Sequence, residues 1–164
     1  MRIYQGPDED YQGREICFGA NETALSIADV TDRENPVAIA RGEYPNVGYA
    51  HQGWLTEDHR HFFMGDELDE VQGGVERTRT LVWDVADLDD PLLLKEHFAE
   101  TGTIDHNQYV RGNRLYQANL MSGLRVLDIS DVENPVEIGF FDTAPDDSVP
   151  PERAANERNH LRSD

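Results

Sequence analysis

Two places in the chain concentrate side chains able to hold a metal ion or move a proton. One is a pair of similar phrases, "HQGWL" opening on His51 and "DHNQYV" carrying Asp105 and His106. Each histidine is followed by an amide residue, Gln52 or Asn107, and leads into a short apolar stretch. Imidazole beside carboxylate is ligand chemistry for zinc and also serves general acid-base work. The plainer alternative is a histidine that hydrogen-bonds backbone between structural units, since a metal site needs three or four convergent ligands. The other place is "DHRHFFMGDELDE", which gathers Asp58, His59, His61, Asp66, Glu67, Asp69 and Glu70. On an extended strand His59 and His61 point to one side. The acidic run that follows is oxygen-rich, as calcium prefers, and opens a loop, where functional residues often lie. Its spacing matches neither an EF-hand nor HExxH, and a solvated acidic loop is the plain alternative.

The elements that must position these groups come from a repeat. "LSIADVTDRENPVAIARGEY" from Leu25, "TLVWDVADLDDPLLLKEHFA" from Thr80 and "LRVLDISDVENPVEIGFFDT" from Leu124 share one pattern: apolar run, Asp, Val or Ile, small residue, Asp, two variable residues, Asn or Asp, Pro, apolar run. Pro36 and Pro91 are 55 residues apart, and Pro91 and Pro135 are 44 apart. The period is therefore near 44, with an insertion in the first interval that falls on "ELDEVQGGVERT", Glu67 to Thr78. Alignment of "HQGWLTEDHRHFFMGD" with "HNQYVRGNRLYQAN" pairs His51 with His106, Trp54 with Tyr109 and Asp66 with Asn119. Each unit holds four short β-type runs, such as "NQYV", "RLYQAN", "LRVLDI" and "PVEIGFF", and no sustained helical period.

Four strands per such period is the arithmetic of a β-propeller blade. The expected fold is all-β, a propeller-like array of three four-stranded blades over residues 1–44, 45–99 and 100–143, with a polar, disordered tail at 144–164. Equivalent positions in successive blades share a radius, so His51 and His106 are expected to face a common channel with Asp105. The second Asp of each copy (Asp32, Asp87, Asp131) is placed to accept backbone N–H groups in an Asx-turn, and the following Pro fixes an extended restart. The first Asp (Asp29, Asp84, Asp128) ends its strand at the same corner. Trp54, Tyr109, Trp83 and Tyr116 are expected in the core.

Thirty-three acidic residues against fourteen basic ones give a formal charge of -19, which repels phosphate backbones and anionic membrane surfaces. Nucleic acid is excluded as a partner on that ground. Cys17 is the one cysteine, so no intrachain disulfide forms, and its setting in "EICFGA" predicts a buried strand thiol. No run approaches the roughly 18 apolar residues of a membrane span, and the opening "MRIYQGPDEDYQG" lacks a signal-peptide core, so membrane insertion is not expected. No nucleophile elbow, phosphate-cradling loop or CxxC occurs.

"LRVLDISDVENPVEIG" resembles the LVIVD repeat, and the run through "GYAHQGWLTEDHRHFFMGDELDE" and "IDHNQYVRGNRLYQANLMSGLRVLDISDVENPVEIGFFDT" is similar to the choice-of-anchor B family. The resemblance covers residues 1–143 and fades after Thr143. It implies a β-propeller-like domain on a secreted or cell-surface protein, held by a C-terminal anchor, hence an extracellular or cell-surface location. Three blades do not close a ring of about four to eight, so the expectation is a piece of a longer product, or a chain that self-associates through open blade edges.

Two functions follow as expectations. The first is a binding module for a protein or small-molecule ligand at the cell surface, with calcium or zinc as the divalent metal. The second is a metal-dependent hydrolase, in which His51, Asp105, His106 and an acid from the Asp66 to Glu70 loop hold the ion that activates water.

Overall fold

The computed structural model describes residues 2–72 and 74–143. The tail expected to be disordered, 144–164, lies outside the described residues. Twelve strands among them form three antiparallel sheets whose strand order follows the chain. Blade 1 is β1 (Arg2–Ile3), β2 (Glu15–Ala20), β3 (Leu25–Asp29) and β4 (Val37–Gly42). Blade 2 is β5 (Ala50–Leu55), β6 (His61–Asp66), β7 (Arg79–Asp84) and β8 (Leu92–Phe98), and blade 3 is β9 (Asn107–Arg111), β10 (Arg114–Asn119), β11 (Gly123–Asp128) and β12 (Val136–Phe141). The insertion between β6 and β7 carries a short helix, α1 (Asp69–Gln72), where blade 3 has only the 3-10 turn Leu120–Ser122. This is an all-β, three-bladed part of a propeller. Among the described residues no helix is long and apolar enough to cross a membrane.

The repeated phrase is the corner from the third to the fourth strand of each blade. Asp32, Asp87 and Asp131 accept from the N–H two residues on, at 3.1, 3.0 and 3.2 Å. Asn35 and Asn134 add a side-chain bond to the same Asp, at 2.9 Å in both copies. The strand-ending Asp29, Asp84 and Asp128 accept from Thr31, Ala86 and Ser130 N–H at 2.9, 2.8 and 2.9 Å. Their second oxygens hold Arg14, Arg60 and Arg114, at 2.7, 3.1 and 2.8 Å. Each fourth strand then carries one extra residue, Ile39, Leu94 or Ile138, a β-bulge that strengthens the local twist.

Side chains alternate faces along a strand, and blade 2 uses both of its faces. Phe62 and Trp83 pair across β6 and β7 and pack toward blade 1 with Ile16, Ile27 and Leu25. One residue along, Phe63 and Val82 pair and pack toward blade 3 with Val110, Leu115 and Leu127. Phe18 stacks on Phe62 with ring centres 5.6 Å apart, and Trp54 meets Tyr109 edge-on at 4.9 Å. Buried amides add directional bonds to the second seam. Gln52 Oε1 accepts from Gln108 N–H at 2.7 Å, and Gln117 Nε2 donates to Thr80 at 2.7 Å. A glycine is required at position 42, where a Cβ would lie 2.5 Å from the Trp83 ring.

Three side chains depart from expectation. Tyr109 is 49% exposed, because it caps Trp54 from outside the seam, and Tyr116 is half-buried beside it on the far face of blade 3. Cys17 lies on β2 but is half-buried, since it faces away from blade 2.

Leu115 is fully buried in the second seam, whereas Leu124, on the other face of blade 3, is 38% exposed. Leu115→Ala is expected to cost about 2–5 kcal/mol in urea unfolding and Leu124→Ala under about 1 kcal/mol. Equal losses would show that the two faces are assigned wrongly.

Candidate metal centre

The innermost strands of blades 2 and 3, β5 and β9, begin side by side at one end of the molecule. Ala50 pairs with Asp66 and Gln52 with Gly65, so His51 is the extra residue of a bulge at the start of β5. Bulges of this kind re-aim a side chain. His51 thereby leaves the sheet and stacks on His106, with ring centres 4.7 Å apart and planes 23° from parallel. His106 is held by its own N–H, which donates to Ala118 O at 3.0 Å.

Glu67, the first residue after β6, closes the group. Its N–H donates to Tyr49 O at 2.9 Å, which turns the carboxylate toward both rings. Glu67 Oε1 lies 2.5 Å from His106 Nδ1, and Oε2 lies 3.5 Å from His51 Nδ1. The three side chains are 26% (His51), 42% (His106) and 20% (Glu67) exposed, so the group is open to solvent on one side. Two imidazole nitrogens and a carboxylate, with room for a further ligand, match the donor set of open zinc sites. A cation entering there would take the place of the His106–Glu67 hydrogen bond.

Asp66 and Asp69 belong to the framework that aims this loop. Asp66 accepts from Tyr44 O–H and Gly48 N–H, each at 2.8 Å, and from Tyr49 N–H. Arg79 is fully buried beneath it. Its guanidinium donates to Asp69 at 2.7 Å, Glu96 at 2.7 Å, Pro45 O at 2.9 Å and Asn46 O at 3.0 Å, and lies over the Tyr44 ring at 5.3 Å. Burial and the adjacent Asp66 charge push the Tyr44 hydroxyl pKa strongly upward, so it acts only as a donor.

Asp105 does not join the histidines, although it precedes His106. It is 5% exposed and points inward, to Asp69 and Glu70 of α1. Burial holds the Asp105 carboxyl well above the usual range, and the Asp69 and Asp66 charges push the same way. Glu70 is raised by burial and then by Asp105 and Asp69, and Asp69 is raised chiefly by burial, with Arg79 opposing. The residues expected to share one ion in the hydrolase reading thus fall into two adjacent groups, one of mixed nitrogen and oxygen donors at the surface and one of oxygen alone beneath it.

His59 and His61 do not point to one side of a strand. His59 sits in the turn before β6 with φ of 57°, where its Nδ1 accepts from Gln5 N–H at 3.1 Å and its ring packs on Tyr4. Asp58 makes that turn by accepting from Thr56 O–H at 2.6 Å and Arg60 N–H at 3.1 Å. His61 begins β6 and lines a cleft of about 530 Å³ with Asp58, Gly112 and Asp131. That cleft is a full strand length from His51, because β5 and β6 run antiparallel between the two ends.

No family model matches this sequence, and no curated protein does. Solved propellers match in shape. A periplasmic gluconolactonase from Pseudomonas aeruginosa superposes with a TM-score of 0.63 at 15% identity, over 82% of this chain and 41% of that one. A chain of a nidogen/laminin complex gives 0.49 at 14% identity over 79% and 43%, and the β-propeller domain of Cps50 (Swd1) from Myceliophteria thermophila gives 0.42 at 10% over 77% and 39%. The chain therefore spans less than half the length of these structures, and the likeness is one of fold.

Arg79→Ala leaves the buried Asp69 and the half-buried Glu96 without their cation and is expected to cost about 3–5 kcal/mol in denaturant unfolding. A loss under about 1 kcal/mol would contradict the role assigned to it. Raised carboxyl pKa values mean that Asp69, Glu70 and Asp105 bind more protons in the folded state than in the unfolded chain above about pH 4, while burial lowers His61 and His97 and gives the opposite sign up to about pH 7. In chelator, stability is therefore expected to fall as pH rises between about pH 7 and pH 9, above the histidine range, with a shallower fall in Asp105→Asn. A flat or rising wild-type profile over that window would contradict the buried-carboxylate geometry.

Proposed function

We propose that this chain is part of a β-propeller binding module that carries a zinc-class cation at His51, Glu67 and His106 and presents the cation's open position to a ligand. The observation that carries the reading is the convergence of three ligand atoms from β5, the β6–β7 insertion and the approach to β9, all within 4.8 Å of one another. Two imidazoles and a carboxylate are borderline-soft enough for zinc and too few in oxygen for calcium. The resemblance to LVIVD-repeat and choice-of-anchor B proteins supports a place at the cell surface, where the partner would be a protein or a small molecule. The exposed fourth strand β12, with Phe140 and Phe141 at 64% and 66% exposure, supports self-association as a further role of the blade edges.

The donor set also favours a second reading. Three protein ligands plus a free position is the arrangement by which zinc lowers the pKa of bound water, so a metal-dependent hydrolase uses the same residues. In that reading Glu67 is the acid expected from the Asp66 to Glu70 loop, His51 and His106 keep their roles, and Asp105 is not a ligand.

Equilibrium titration with zinc near pH 7 separates these readings. The wild type is expected to bind one zinc per chain, with affinity lowered at least about tenfold in His51→Ala, His106→Ala and Glu67→Gln. Retention of binding in all three variants, or no binding by the wild type, would sink both readings. Hydrolysis of an ester and lactone panel that appears with zinc and disappears in Glu67→Gln would select the enzyme over the module.

A further inference from the structure

We propose that Asp69, Glu70 and Asp105 form a calcium site, buried behind the histidine cluster, that ties the β6–β7 insertion of blade 2 to blade 3. The inference stands apart from the zinc reading, because the two groups share no residue. Each of the three offers an oxygen within 4.8 Å of the others. Four of their oxygens, Asp69 Oδ1, both Glu70 Oε atoms and Asp105 Oδ1, are buried and accept from no N–H or O–H of the surrounding protein, Asp69 and Glu70 facing only one another. Asp69 is fully buried and Asp105 is 5% exposed. Buried carboxylate oxygens are costly unless something positive faces them.

The protein's own cation there does not meet that need. The Arg79 donors are committed to Asp69 Oδ2, Glu96 and two backbone carbonyls, and none reaches Glu70 or Asp105. All four open atoms are hard oxygen donors, two of them on one carboxylate that can bind through both. That set suits calcium, which takes six to eight oxygens at about 2.3–2.6 Å, better than magnesium, which keeps its water, or zinc, which seeks nitrogen and sulfur.

The surroundings are shaped for the approach of these carboxylates. A Cβ on Gly65 would lie 1.9 Å from Asp105 Oδ2, and a Cβ on Gly48 would lie 2.4 Å from Asp69 N. Side chains at either position would push apart the segments that bring the oxygens together. The rival occupant is a proton shared between Asp69 and Glu70, which would satisfy one oxygen of each and leave the other Glu70 oxygen and Asp105 Oδ1 unanswered.

The test is equilibrium dialysis of the purified chain, stripped with chelator, against radioactive calcium at about 0.15 M salt with millimolar magnesium present, paired with thermal unfolding. One calcium per chain is expected, with a Kd at or below about 10 μM and a rise in Tm on binding. Glu70→Gln and Asp105→Asn are each expected to weaken binding at least tenfold, and Glu133→Gln, an exposed turn position outside every carboxylate cluster, to leave it unchanged. Glu70 makes no bond to Arg79, so its variant keeps the test sound if Asp105→Asn does not fold. Absence of stoichiometric binding, binding that Glu70→Gln retains, or a Glu133→Gln loss as large as the others would overturn the proposal.

Discussion

The candidate site depends on one buried guanidinium. Arg79 starts the third strand of blade 2 at a position where no water reaches it, and must find every partner within the protein. It finds them in Asp69 and Glu96 and in the carbonyls of Pro45 and Asn46, which pins the entry to β5 and the exit from β6 to one point. Asp66 completes the clamp through Tyr44 and the N–H groups of Gly48 and Tyr49. His51 and Glu67 are the next residues out from these two pinned segments, so their meeting follows from the framework beneath them.

A propeller supplies the rest of the geometry. Inner strands of adjacent blades begin at the same end and the same radius, which brings His106 of blade 3 near His51 of blade 2, and the bulge at His51 completes their stacking. The long insertion of blade 2 then delivers a carboxylate to each of two depths, Glu67 at the surface and Asp69 and Glu70 below. Chemistry differs with depth. Imidazoles half open to water favour an exchangeable, borderline-soft ion, while dry carboxylates favour a hard cation held for structure.

Much of the fold was legible because the repeat writes its corners in side chains that bond the backbone two residues on. Asp32, Asp87 and Asp131 act as Asx-turn acceptors as their spacing predicts, and the second, third and fourth strands of each blade follow from the apolar runs between corners. The partnership of His51 with His106 was legible for the same reason. Glu67 could be named but not ranked above its acidic neighbours, because a bulge at His51 and the turn after β6 decide which carboxylate faces the rings. Asp105 was misplaced by its nearness to His106 in sequence, since both lie on the irregular approach to β9, where the chain sends Asp105 inward to Asp69 and Glu70. Arg79 gave no signal beyond a charge at the head of the apolar run "TLVWD", and its partners lie 10 to 34 residues away. His59 was misread because its left-handed backbone ends the strand that its pattern suggested.

X-ray absorption spectroscopy of the zinc-loaded protein bears most directly on the claim that His51, Glu67 and His106 act as one centre. The account predicts a first shell with two imidazole nitrogens and carboxylate or water oxygen near about 2.0–2.2 Å, with one imidazole lost in His106→Ala. A shell of oxygen alone, or an imidazole count that His51→Ala and His106→Ala leave unchanged, would contradict it.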